Sequence, residues 1–184
     1  MAFKYKITDV QGVYFMTITV VNWIDVFTRR ELADDVIASL EYCQKAKGLC
    51  LYAWCLMPSH LHLIASAKEG ASMSDIMRDF KKFTSKKVVK TIQEINESRK
   101  DWLLDKFEFA GRWKPKIEGF KFWQDGYHPI LLESNYFLEQ KLDYLHENPV
   151  NAGLVFESYH YRYSSAIDYS SDKAKGLLDI MYLD

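Results

Sequence analysis

The stretch Leu49–Ala67, LCLYAWCLMPSHLHLIASA, decides the fold. Leu49–Met57 and His60–Ala67 are apolar runs of strand length, and Pro58 with Ser59 between them marks a tight turn, so the pair predicts a β-hairpin. Upstream, Val13–Val21 is β-branched and aromatic, with Tyr14, Met16, Ile18 and Val20 on one face, as in a buried strand. Between these strands Thr28 and Glu31 have capping-box spacing. Leu32, Val36, Leu40 and Cys43 then recur at helical intervals, and Gly48 stands where the helix should stop. Downstream, Ser72 opens a long helix through Ile76, Phe80, Phe83, Val88 and Ile92, to about Asn96. Residues 97–124 are irregular and rich in Trp, Lys and Gly, and are expected to be an insertion that packs a loop or small hairpin on the domain. Tyr127–Leu132 reads as a short fourth strand. Ser134 caps a last helix to about Glu147, which Pro149 should end. Residues 156–184 form a C-terminal tail.

The order β-α-β-β-α-(insertion)-β-α predicts an α+β fold, a ferredoxin-like antiparallel sheet with helices on one face, in a single domain over 1–184. The other face is then open for a site. With 48% hydrophobic and 27% charged residues the chain has an ordinary soluble, globular composition. Three cysteines without C-x-x-C spacing argue against a disulfide framework and for a reducing compartment. Met1–Asp9 lacks a signal-peptide apolar core, and no apolar run is long enough to span a bilayer. A cytoplasmic protein with no membrane partner is expected. The net charge of −1 hides an asymmetry: residues 78–121 carry thirteen Lys/Arg against seven Asp/Glu, and the remainder is acidic. Such a segment is either a phosphate-binding footprint or a solvated helix face. Likewise, rings at 15% of the chain are either core or platforms for unstacked bases.

His60 and His62 start a predicted strand, and side chains at i and i+2 share a face. Two imidazoles projecting together are half of a metal site; they are equally compatible with ordinary hydrogen-bonded histidines. Tyr144 and Asn148 are i and i+4 on the last helix. They lie off the apolar stripe of Leu138, Leu142 and Leu145, on a flank shared with Phe137. That flank is either a second surface or a core edge with Asn148 as helix cap.

The segment Ala53–Ile64 (AWCLMPSHLHLI), followed by Tyr144–Val155 (YLHENPVNAGLV), resembles the single-tyrosine HUH transposases, and in particular the REP-associated tyrosine transposase branch. Tyr163, Ser164 and Ser165 resemble that branch's aromatic-Ser-Ser element, and Phe122–Tyr127 its aromatic stretch before the last strand. Ser59 departs from the Asn usual before the first histidine. Asn148 stands where the insertion-sequence enzymes have Gln, as is usual in the chromosomal branch.

The resemblance implies that His60 and His62 bind Mg²⁺ or Mn²⁺, with Asn148 completing the site, and that Tyr144 is the nucleophile. It would form a 5′-phosphotyrosine and release a 3′-OH. A phenol with a pKa of about 10 needs help from metal or a base at neutral pH. The implied partner is single-stranded DNA with a hairpin, placing the protein on the nucleoid when bound. Arg78, Lys82, Lys86 and Lys90 recur at i+4 as a basic edge for DNA phosphates; Lys114 and Lys116 would add charge, and Trp113 is either a stacking ring or core. A site within one chain and a homodimer with shared sites both fit. A domesticated hairpin-binding protein without cleavage is the alternative function. An RNA-recognition module is disfavoured, because its aromatic strand signature is missing.

Overall fold

Leu49–Met57 (β2) and His60–Ala67 (β3) pair antiparallel around the Pro58 and Ser59 turn, with a bulge between Leu51 and Ala53. This is a computed structural model, and it describes residues 6–112, 119–170 and 174–182. Trp113, Lys114 and Lys116 lie outside the described residues. Tyr14–Thr19 (β1) pairs antiparallel with β3, and Ile130–Leu131 (β4) with β1, giving the sheet order β2-β3-β1-β4. This is the expected ferredoxin-like arrangement. β4 is shorter than Tyr127–Leu132 because His128 has a left-handed backbone (φ 45°) and Pro129 has no N–H to donate.

Arg30–Ala46 (α1) and Met73–Glu94 (α2) cover one sheet face. There Met16, Ile18, Trp54, Leu61 and Leu63 meet Leu32, Val36, Leu40, Met77 and Phe80 in the main core. Ser72 caps α2 by accepting the Asp75 N–H (3.3 Å). The capping box expected at Thr28 does not form. Arg29 occupies the N-cap position without a side-chain bond, and the Thr28 hydroxyl accepts from Arg99 (3.4 Å) instead. Phe83, expected on the buried stripe, is 60% exposed. Its place in the core is taken by Thr84, whose hydroxyl accepts the Trp123 indole N–H (2.8 Å).

Lys100–Gly111 (α3) forms where a loop or small hairpin was expected. Leu103 and Phe107, one turn apart, are fully buried, and Phe107 packs edge-on against Phe122. Glu97, with its side chain 1% exposed, ties the start of α3 to that of α1 through Arg99 (3.2 Å) and Arg29 (2.8 Å).

The expectation of helices on one face describes α1 and α2. Asn135–Asn151 (α4) lies across the opposite face, because its stripe of Leu138, Leu142 and Leu145, joined by Phe137 from the flank, seats on Phe15, Ala53 and Ile64. Burying one such leucine contributes roughly 1.5–3 kcal/mol. α4 also continues past Pro149 to Asn151: the buried proline sits near the C-terminal end, so its missing N–H costs one backbone bond there.

Tyr163 and Met181, both beyond α4, bind the outer edge of β2. Leu56 N–H donates to Tyr163 O (2.8 Å), and Met181 N–H to Leu51 O (2.9 Å). Covering an edge this way blunts its pairing with other chains. The Ser165 hydroxyl accepts the Trp54 N–H (2.9 Å) and lies 2.9 Å from His146 Nε2, which anchors α4 to β2. Burial pushes the His146 imidazole down to about 4. The unfolded imidazole protonates near pH 6.5. Its contribution to stability is therefore complete above pH 6.5 and is lost as the pH falls toward 4, by at most about 1.4 kcal/mol per unit. Urea midpoints between pH 7 and 4.5 should drop more steeply for the wild type than for His146→Gln. Equal slopes would contradict this account of the burial.

Candidate functional site

Cross-strand partners share a face, so Thr17 opposite His62 and Thr19 opposite His60 set both imidazoles on the α4 side of the sheet. The rings meet edge-on with centroids 4.6 Å apart. His62, 3% exposed, stacks on Phe15 (5.3 Å, 25°), and its Nδ1 lies 2.9 Å from the Thr17 hydroxyl. His60 Nδ1 lies 3.1 Å from the Ser59 hydroxyl, so the serine that departs from the family pattern supports the histidine beside it. Burial pushes His62 down to about 3, helped by His60 and the Lys141 cation. Burial likewise pushes His60 down to about 4, against a nearby Asp25 carboxylate. Both are therefore neutral at pH 7.

His62 Nε2 is buried and has no hydrogen-bond partner among the described residues. Leaving such a group unmade costs about 1–3 kcal/mol. A neutral imidazole with Nδ1 held by a hydroxyl and Nε2 unpaired is the form that binds a divalent metal. Among the described residues no cluster of three His, Cys, Asp or Glu exists. The two neutral imidazoles could hold a divalent ion, with oxygen donors needed to complete its coordination.

α4 brings Tyr144 to the pair. Its ring lies edge-on to His62 (5.5 Å, 69°) and to Phe15 (5.9 Å), and it is 49% exposed. The tyrosine and histidines of one chain therefore meet without a partner copy. Asn148, one turn on, donates its Nδ2 to Tyr144 O (2.6 Å). Lys141, one turn before Tyr144, was not singled out in the sequence. Its Nζ lies 5.1 Å from the Phe15 ring, 5.5 Å from Phe137 and 5.5 Å from Tyr144. It has no ion pair among the described residues, and the i−3 spacing to Tyr144 was the available signal.

The basic edge of α2 divides. Arg78 is paired with Asp75 and with Asp79 (3.0 Å), and Lys90 with Glu94 (3.6 Å). Lys82 and Lys86 carry no ion pair among the described residues and, with Arg78, line a groove of about 1230 Å³ between α2 and residues 120–127. Lys81 closes the groove floor by donating to Gln124 O (2.8 Å) and to Gly126 O. Gln124 N–H in turn donates to Thr19 O (2.8 Å), and Thr19 is the cross-strand partner of His60. The groove rim thus reaches the histidine end of β1.

The sequence comparison gives the family. Residues 10–113, spanning β1 to α3 and the histidine pair, match the family model described as IS200-like transposase. The chain belongs to that family. The match stops short of α4 and Tyr144. No curated protein matches the sequence. Among solved structures, a REP-associated tyrosine transposase bound to a REP hairpin superposes with a TM-score of 0.64 at 17% identity, covering 100% of this chain and 94% of its own. A protein from Deinococcus radiodurans R1, provisionally described as a transposase, covers 77% of this chain and 93% of its own, at 17% identity and a TM-score of 0.48. The first of these supports the fold. Among the described residues no helix is long and apolar enough to cross a membrane.

Proposed function

We propose that this protein cleaves and rejoins single-stranded DNA beside a hairpin, with Tyr144 as nucleophile and His60, His62 and Asn148 as ligands of Mg²⁺ or Mn²⁺. One observation carries the reading: the Tyr144 ring stands 5.5 Å from the ring of a buried histidine whose Nε2 lacks a partner. When bound, the ion would polarise the scissile phosphate and offset charge developing on its oxygens. Tyr144 Oη attacks phosphorus, the bond to the 3′ oxygen breaks, and the phenol proton ends on that oxygen. The products are a 5′-phosphotyrosine and a 3′-OH, so the phosphodiester is conserved for rejoining. Lys141 supplies a cation beside Tyr144, where the phosphate and the phenol oxygen losing its proton concentrate negative charge.

Arg78, Lys82, Lys86 and Lys90 would bind backbone phosphates, with Lys82 and Lys86 the more available because their charges are not neutralised on the helix. Each single-strand phosphate contact should add about −0.7 to the salt slope. The hairpin is carried over from the similar structure, which is described as bound to one.

Thr17→Val keeps the shape of the side chain and removes the hydroxyl at His62 Nδ1. Mn²⁺ affinity by calorimetry should fall about 10- to 100-fold. An unchanged affinity would mean that the hydroxyl does not orient the ring. The function itself is tested by incubating the protein with Mn²⁺ and a library of single-stranded hairpins with randomised flanks, then looking for a DNA adduct that survives denaturation. Binding without an adduct would favour the hairpin-binding protein that does not cut.

A further inference from the structure

Trp23 ends a short 3₁₀ turn, Val21–Trp23, at the histidine end of β1. Its ring lies edge-on to His60, with centroids 5.2 Å apart at 70°, and the residue is 58% exposed. Trp54 and Trp123 are by contrast buried in the core. The backbone is left-handed at both Asn22 (φ 57°) and Trp23 (φ 55°), a conformation bulky residues seldom adopt. The turn is held in place by its surroundings: Val21 N–H donates to Phe122 O (2.9 Å), and Val26 and Phe27 N–H both donate to Pro58 O (2.8 and 2.9 Å). Core packing does not account for a large indole fixed in a strained turn and turned more than half to solvent. Strained backbone tends to occur where a side chain must be presented to a ligand.

We propose that Trp23 is a stacking platform for an unpaired nucleobase next to the scissile phosphate; this rests on the reading of the His60 and His62 site as one that acts on single-stranded DNA. The surrounding charges orient such a strand. Lys141 lies on the Tyr144 side, and Asp25 is close enough to His60 to act on it electrostatically. Lys141 would draw the phosphates to the Tyr144 side, which leaves the flat, uncharged base for the Trp23 side. Every base has a π-face, so the contact tolerates any sequence.

The test is metal-free binding, by fluorescence anisotropy, of labelled oligo(dA) and of an equally long backbone of abasic tetrahydrofuran units. Trp23→Ala should weaken oligo(dA) binding about tenfold, Trp23→Phe should restore it to within about twofold of wild type, and the abasic backbone should bind all three proteins alike. Stacking is overturned if Trp23→Ala binds oligo(dA) as the wild type does, if it loses equally on the abasic backbone, or if the wild type does not favour oligo(dA). Should Trp23→Ala misfold by circular dichroism, photocrosslinking of a 5-iododeoxyuridine oligonucleotide to the wild type decides. A crosslink on Trp23 supports the platform, and crosslinks only elsewhere exclude it. No arm scores cleavage, so a missing covalent adduct would defeat the Tyr144 reading and leave these results standing.

Discussion

Tyr144→Phe should abolish covalent attachment to DNA while leaving hairpin binding within about twofold of wild type. The substitution removes one oxygen and nothing else. The phenyl ring keeps its edge contacts with His62 and Phe15 and its place beneath Lys141. Tyr144 is half-exposed and its hydroxyl makes no hydrogen bond within the described chain, so stability should change little. Removing a nucleophile outright typically leaves far less than about one thousandth of the activity. The competing candidate on α4 is Tyr136, 77% exposed. It lies eight residues earlier, about 12 Å from Tyr144 along the helix axis. Adduct formation by Tyr144→Phe would move the chemistry to such a residue.

His62→Ala should remove the response to metal. If the histidine pair binds Mn²⁺, saturation at about 100 times Kd stabilises the wild type by about 2.7 kcal/mol, roughly 5–10 °C in melting temperature for a domain of this size. In His62→Ala that shift should vanish at the same Mn²⁺ concentration. Two opposing effects act on the metal-free variant. It loses the ring stacked on Phe15, and it is relieved of a buried Nε2 that has no partner. The net metal-free change should therefore be smaller than for an ordinary buried ring, about 3–5 kcal/mol on truncation to Ala. An undiminished Mn²⁺ shift in His62→Ala would place the ion elsewhere.

Local signals carried much of this fold. Strand and helix periods, the Pro58 and Ser59 turn and the Ser72 and Ser134 caps follow from neighbours in sequence, and the sheet forms in the order they imply. The misses are non-local. The stripe of α4 announces an apolar face but not which side of the sheet receives it, and the helix took the side bearing His60 and His62. α3 was hidden because Leu103 and Phe107 are a sparse buried pair among charged and exposed aromatic residues. The capping box at Thr28 lost to an arginine arriving from 71 residues away.

The site divides the same way. His60 and His62 share a face by the pleat alone, and Tyr144 and Asn148 share a helix flank by the 3.6-residue turn. That the two sets meet depends on where α4 docks. Thr17 could be linked to His62 only through the register of β1 on β3. His146, two residues after Tyr144, positions α4 through Ser165, a contact between distant parts of the chain. Trp23 needed the backbone conformation of its turn to stand out.

Whether Tyr144 and the histidine pair form one cleavage site is decided by locating the covalent bond. The adduct formed by the wild type with Mn²⁺ and a single-stranded hairpin should be digested with nuclease and trypsin and sequenced by tandem mass spectrometry. A nucleotide phosphate on Tyr144 is the expected result. A nucleotide on Tyr136 or any other residue, or a tight DNA complex that never yields a modified peptide, would contradict it.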